Sequence, residues 1–189
     1  MKIGTKSLLF GVHQFALHPF LVLLAWLIIY KKMPRLSSLC AIITHDWGYW
    51  GLSNMDGKEG EAHPERSAKI WVWLLKYSDF RWRVCISIMG HSRFNAAKHN
   101  MNLSMLFRAD KLSMALCPSW LYLLLGNLTG EIKEYIGHGS IKGDAGKYKD
   151  VPKVSSNQIQ WLIETKAHMS LMGLHGENYG PVAKQLGIK

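Results

Sequence analysis

Apolar residues recur at intervals of three and four through most of the chain, and alternating runs of the kind a half-buried strand shows are scarce. The pattern predicts helices over Ser7–His18, Pro19–Tyr30, Leu36–Asp46, His63–Leu75, Phe80–Met89, Leu103–Ala115, Ser119–Leu125 and Gly130–Ile136. A last helix is expected over Asn157–Gly173, with Ser155 or Ser156 as its N-cap. Two polar, glycine-containing stretches interrupt the series. Gly48–Ala62 reads as a loop, and Gly137–Lys153 as a connection or lid leading to the C-terminal helix. The expected fold is all-α: a helical bundle over residues 1–135, then residues 136–189 as a polar loop and a helix packed on the same domain.

The N-terminal run needs separate treatment. No Asp, Glu, Lys or Arg falls between Ser7 and Tyr30, while Lys2, Lys6, Lys31 and Lys32 flank the stretch. Its length alone fits a membrane span or an overlong signal core. Three features oppose that. His13, Gln14 and His18 place polar groups inside the run. Pro19 is suited to the first turn of a new helix. No small-residue cleavage site precedes Lys31-Lys32-Met33-Pro34. A buried core helix is expected, without stable membrane insertion.

Composition narrows the setting. Hydrophobic residues make up 48% and charged residues 19%, a globular balance. The net charge of +10 favours an anionic partner: nucleic acid, a membrane surface or a small phosphorylated molecule. Cys40, Cys85 and Cys117 are odd in number and far apart, so neither a disulfide framework nor a cysteine zinc site is expected, and the setting is read as cytoplasmic. Met114–Leu125 and Trp161–Met172 are apolar or amphipathic and complete the core or a homo-oligomer face. Arg81-Trp82-Arg83 is a short basic-aromatic patch, but no nucleic-acid module accompanies it.

The chemistry concentrates in an ordered series. His45-Asp46 closes the apolar run Leu39–Thr44 and is followed by Trp47-Gly48, which turns the chain away. His18 opens an apolar helix upstream, with His13 as its competitor. Downstream come His63 in His-Pro-Glu-Arg-Ser-Ala, His91 in Gly-His-Ser and Asp110 in Ala-Asp-Lys. Several imidazoles with a carboxylate able to bridge suit first-row divalent ions. His99 lies in the polar stretch Asn95–Asn102 and is expected to be solvated, while His138, His168 and His175 have no ligand-like context. Lys111, Arg66 and Arg93 each lie within a few residues of a candidate ligand and are candidates to hold a phosphate. Lys58, in the loop with Asp56, Glu59 and Glu61, is a candidate to position substrate, and Trp47 to stack on a base beside Tyr49 and Trp50.

This order and its flanking residues, over about Leu17–Leu116, resemble the HD-domain superfamily of metal-dependent phosphohydrolases. The phrases at His63 and Asp110 are similar to those of its two-metal members, notably the YqeK-type and HD-GYP-type branches, although the glycine-tyrosine-proline signature of the latter is absent. The resemblance implies an HD-domain bundle in which His18, His45, Asp46 and Asp110 hold one ion, and Asp46 bridges to a second held by His63 and His91. It implies two divalent ions, Mn²⁺, Fe²⁺ or similar, with Asp46 and Lys111 in catalytic roles. The implied reaction is hydrolysis of a phosphoester or phosphoanhydride bond, as in a phosphodiesterase, by a metal-bridging hydroxide on a small nucleotide-like substrate. One branch of the superfamily uses the same ligand order for a diiron oxygenase, which is the alternative reading. A non-catalytic nucleic-acid or membrane-associated binder is the third.

Overall fold

The uncharged N-terminal stretch breaks where its glycine and polar residues fall. The structure, a computed structural model, describes residues 1–55, 57–138 and 157–176. Helix α1 covers Ile3–Phe10 and stops at Gly11, and α2 covers Leu17–Tyr30. The single helix expected over Ser7–His18 is therefore divided. His18 sits in the first turn of α2 and Pro19 at its third position, where a missing N–H removes no intrahelical bond. The α2 helix buries Leu21, Val22, Ala25 and Trp26 but leaves Phe20, Leu24 and Ile28 exposed. It is a core helix that buries one face, against α8, and leaves the other exposed.

Helix α3, Leu36–Thr44, ends with His45 as its C-cap, and a short 3₁₀ turn, Trp47–Tyr49, follows. The expected loop contains a single helical turn, α4 (Gly57–Gly60). Then come α5 (His63–Leu74) and α6 (Asp79–Met89), the latter capped by Ser78 Oγ accepting from the Arg81 N–H. Helix α7 (Arg93–Lys98) forms within the stretch read as polar surface, because Ser92 Oγ accepts the Asn95 N–H and caps it. Helices α8 (Met105–Leu116), α9 (Ser119–Thr129) and α10 (Glu131–His138) follow. Helix α11, Gln158–His175, is capped by the Asn157 side chain, which accepts from Ile159 and Gln160 N–H; Ser155 and Ser156 lie outside the described residues.

Among the described residues every regular element is helical, so the fold is all-α. Helix α8 is central, with α2 and α11 packed on it, while α5 and α6 form an antiparallel pair. The main core joins α2, α3, α6 and α8 through Val22, Trp26, Ile42, Val84, Ile88 and Leu106. A second cluster ties α11 to the body through Trp161 and Leu162 against Leu21, Tyr122 and Ile132. Among the described residues no single helix is long and apolar enough to cross a membrane; α8 and α9 pass that test only as a pair bent by 100°.

Candidate metal centre

Four helix ends converge on one buried point. His18 comes from the first turn of α2, His45 and Asp46 from the end of α3, His63 from the first residue of α5 and His91 from just beyond α6. Asp110 arrives from the middle of α8. The six residues expected as ligands are thus brought together.

His18 Nε2 lies 3.1 Å from His45 Nε2, 3.1 Å from Asp46 Oδ2 and 3.2 Å from Asp110 Oδ1. His45 Nε2 is 3.4 Å from Asp46 Oδ2 and 3.5 Å from Asp110 Oδ1. Donors about 2.1 Å from a shared ion stand roughly 3.0–3.4 Å apart along octahedral or tetrahedral edges. Asp46 turns its other oxygen the opposite way. Its Oδ1 lies 3.6 Å from His63 Nε2 and 3.8 Å from His91 Nε2, and those two nitrogens are 3.0 Å apart. Asp46 is therefore common to two groups able to hold a metal ion, His18–His45–Asp46 and Asp46–His63–His91, and Asp110 adjoins the first.

Hydrogen bonding fixes the rings. Nδ1 of His45, His63 and His91 reaches the carbonyl oxygen three residues earlier, of Ile42, Gly60 and Ile88, at 2.9, 2.6 and 2.5 Å. A carbonyl only accepts, so each Nδ1 carries a proton and each ring turns Nε2 into the centre; His63 and His91, held below the usual imidazole range, present bare lone pairs there. The His63 and His91 lone pairs face each other with nothing to donate between them. Asp46 Oδ2 is buried, and His18 Nε2 at 3.1 Å pairs with it only while His18 keeps its proton. Facing lone pairs beside a buried carboxylate are costly unless a cation joins them, so the donor set fits a metal.

The electrostatics are consistent with that fit. Burial, reinforced by His91, pushes the His63 imidazole well below its usual range, and burial with His45 lowers His91 to about 4. His18 goes the other way, to about 9, because the Asp110 and Asp46 carboxylates outweigh its burial. Burial disfavours ionised Asp46 and Asp110, but His45 beside the first and Lys111 beside the second hold both well below the usual carboxylate range.

Close packing aligns the ligand-bearing segments. Gly48 lies so near α5 that a Cβ would sit 2.0 Å from the His63 carbonyl oxygen. Ser67, one turn beyond His63, accepts the Gly48 N–H at 2.7 Å and donates to the His45 carbonyl at 2.6 Å. The Tyr49 ring stacks on His63 at 3.9 Å. His13 turns its Nδ1 to buried Glu131 at 3.1 Å, with its ring 5.3 Å from that of His18, and belongs to neither metal-capable group. Ser67 is legible only through its spacing from His63, which places both on one helix face; Glu131 has no local signal in the sequence.

The proposed phosphate and substrate residues fare differently. Lys111 Nζ bonds Asp110 Oδ2 at 2.8 Å and so orients a ligand. Arg66 donates from Nε and Nη2 to the Gly48 and Trp50 carbonyls at 2.7 and 2.6 Å, closing the turn after the His-Asp pair, and also lines the cleft beside Trp47. Arg93 opens α7, two residues past His91, and is half-buried. Asp56 and the side chain of Lys58 lie outside the described residues. Trp47 lines a cleft of about 460 Å³ with Phe15, Trp50, Arg66 and Lys69. His99 is on the surface, bonded to Glu65 at 3.0 Å, and His168 is buried in α11 away from both groups. His175 ends α11, and the side chain of His138 lies outside the described residues.

Comparison with family models, curated proteins and solved structures finds no match for this chain.

Proposed function

We propose that this protein is an HD-type phosphohydrolase that uses two divalent ions, Mn²⁺, Fe²⁺ or a similar metal, to cleave a phosphoester or phosphoanhydride bond. The observation that carries the reading is the split carboxylate of Asp46, with Oδ2 toward His18 and His45 and Oδ1 toward His63 and His91. His18, His45, Asp46 and Asp110 would hold one ion, and Asp46, His63 and His91 the other. Divalent ions, when bound, polarise a phosphoryl oxygen and make water more acidic. The carbonyl partners aim Nε2 of His45, His63 and His91 at the ions, and His63 and His91, lowered by burial, bind without giving up a proton. Lys111 fixes Asp110 and adds positive charge next to the place a phosphate would occupy.

A nucleotide-like substrate is favoured by the cleft lined by Trp47 and Gly48, the residues that follow the His-Asp pair. Phe15 and Trp50 offer aromatic faces, and Lys69 a cation. The net charge of +10 draws anions toward it. The test is a screen of Mn²⁺-loaded protein against nucleotides, cyclic nucleotides and dinucleotides, with Asp46→Ala in parallel. Hydrolysis lost in the variant is expected; hydrolysis retained by it would overturn the assignment.

A further inference from the structure

At the end of the α5–α6 pair remote from the metal ligands, the chain exposes apolar side chains where a soluble hairpin would carry polar ones. Trp73 is 84% exposed, Tyr77 73%, and Val72, Leu74 and Trp82 each more than half. The same tip is basic. Lys76, Arg81 and Arg83 stand among these side chains and Lys69 lies a turn below, with Asp79 as the one acidic residue between positions 69 and 86. The tip is held in shape: Arg81 donates to the Leu75 carbonyl at 2.9 Å and lies over the Tyr77 ring at 5.2 Å, while Ser78 caps α6. Exposed patches of this kind mark interaction sites, and Trp and Tyr beside Lys and Arg match the layered chemistry of a lipid headgroup region.

We propose that the α5–α6 tip docks on an anionic phospholipid surface, with Trp73, Tyr77 and Trp82 in the interfacial layer and Lys76 and Arg83 against lipid phosphates. Charge decides for lipid over a second copy of this chain: two tips of the same sign repel, whereas an anionic leaflet attracts each. Both helices run about 16 Å from the tip to His63 and His91, so docking leaves the metal centre off the membrane, open to a water-soluble substrate. The inference does not depend on the reaction assigned to that centre.

The test is co-sedimentation of the full chain with vesicles of phosphatidylcholine alone or with about one-third phosphatidylglycerol. Binding to the anionic vesicles only, weakened by salt, is expected. Trp73→Ser with Trp82→Ser, and separately Lys76→Glu with Arg83→Glu, should each weaken it about tenfold or more, with the melting temperature and its response to Mn²⁺ unchanged. The second pair keeps the test decisive if the first folds poorly. The proposal is overturned if the wild type stays off anionic vesicles or if both variants bind like wild type. It is also overturned if the tryptophan pair converts a dimer to a monomer without affecting lipid, or if the tip binds nucleic acid and no vesicle.

Discussion

His63 and His91 present unprotonated Nε2 atoms to each other across 3.0 Å, each ring anchored by its Nδ1–H to a carbonyl three residues back. Two lone pairs at that separation repel, and burial denies them water. The pair is stable in proportion to what binds between its nitrogens.

Loading with a divalent ion should therefore stabilise the fold strongly. At an ion concentration one hundred times Kd, the melting temperature should rise by roughly 5–10 °C over the EDTA-treated protein. His91→Gln removes one lone pair without opening a large cavity. It should leave the metal-free midpoint within about 2 °C of wild type and cut the metal-induced rise by more than half. Differential scanning calorimetry with and without EDTA checks both.

The metal-free protein should be most stable near pH 6.5. His91, lowered to about 4, stays neutral when folded but protonates on unfolding, so its contribution is complete above pH 6.5 and is lost as pH falls toward 4. His63 is lowered in the same direction. His18, raised to about 9, contributes fully below pH 6.5 and loses that contribution as pH rises toward 9. A metal ion displaces the His18 proton, so the alkaline decline should vanish on loading. Melting curves from pH 4 to 9 with EDTA or Mn²⁺ read out the two limbs.

Gly48 and Ser67 should matter to the centre without touching an ion. A Cβ at Gly48 collides with the His63 carbonyl, so Gly48→Ala should cost about 1–3 kcal/mol and lower ion affinity by moving α5. Ser67→Ala leaves the Gly48 N–H and one acceptor site of the His45 carbonyl unserved in the interior, at about 1–3 kcal/mol. Denaturant titration gives the stability loss, and a metal titration the affinity.

The convergence of His18, His45, Asp46, His63, His91 and Asp110 was legible in their order and flanking residues, through the resemblance to the HD pattern; helix-end position alone does not separate them from His99 or His175, which also end helices. The helical class was equally legible from spacing. What spacing could not supply was partner choice. Arg66 stood out by its proximity to His63, but its bonds to the Gly48 and Trp50 carbonyls, in a different segment of chain, left no trace in spacing. His13 looked like a rival ligand until Glu131, distant in sequence, took its Nδ1. Pro19 marked a helix start to within two residues, since proline is tolerated anywhere in the first turn.

The most direct measurement is anomalous diffraction from Mn²⁺-loaded crystals. Two peaks about 3.5–4 Å apart are expected on either side of the Asp46 carboxylate, one beside His18, His45 and Asp110 and the other beside His63 and His91. No peak at Asp46, or a single peak touching only one of its oxygens, would contradict the two-ion assignment.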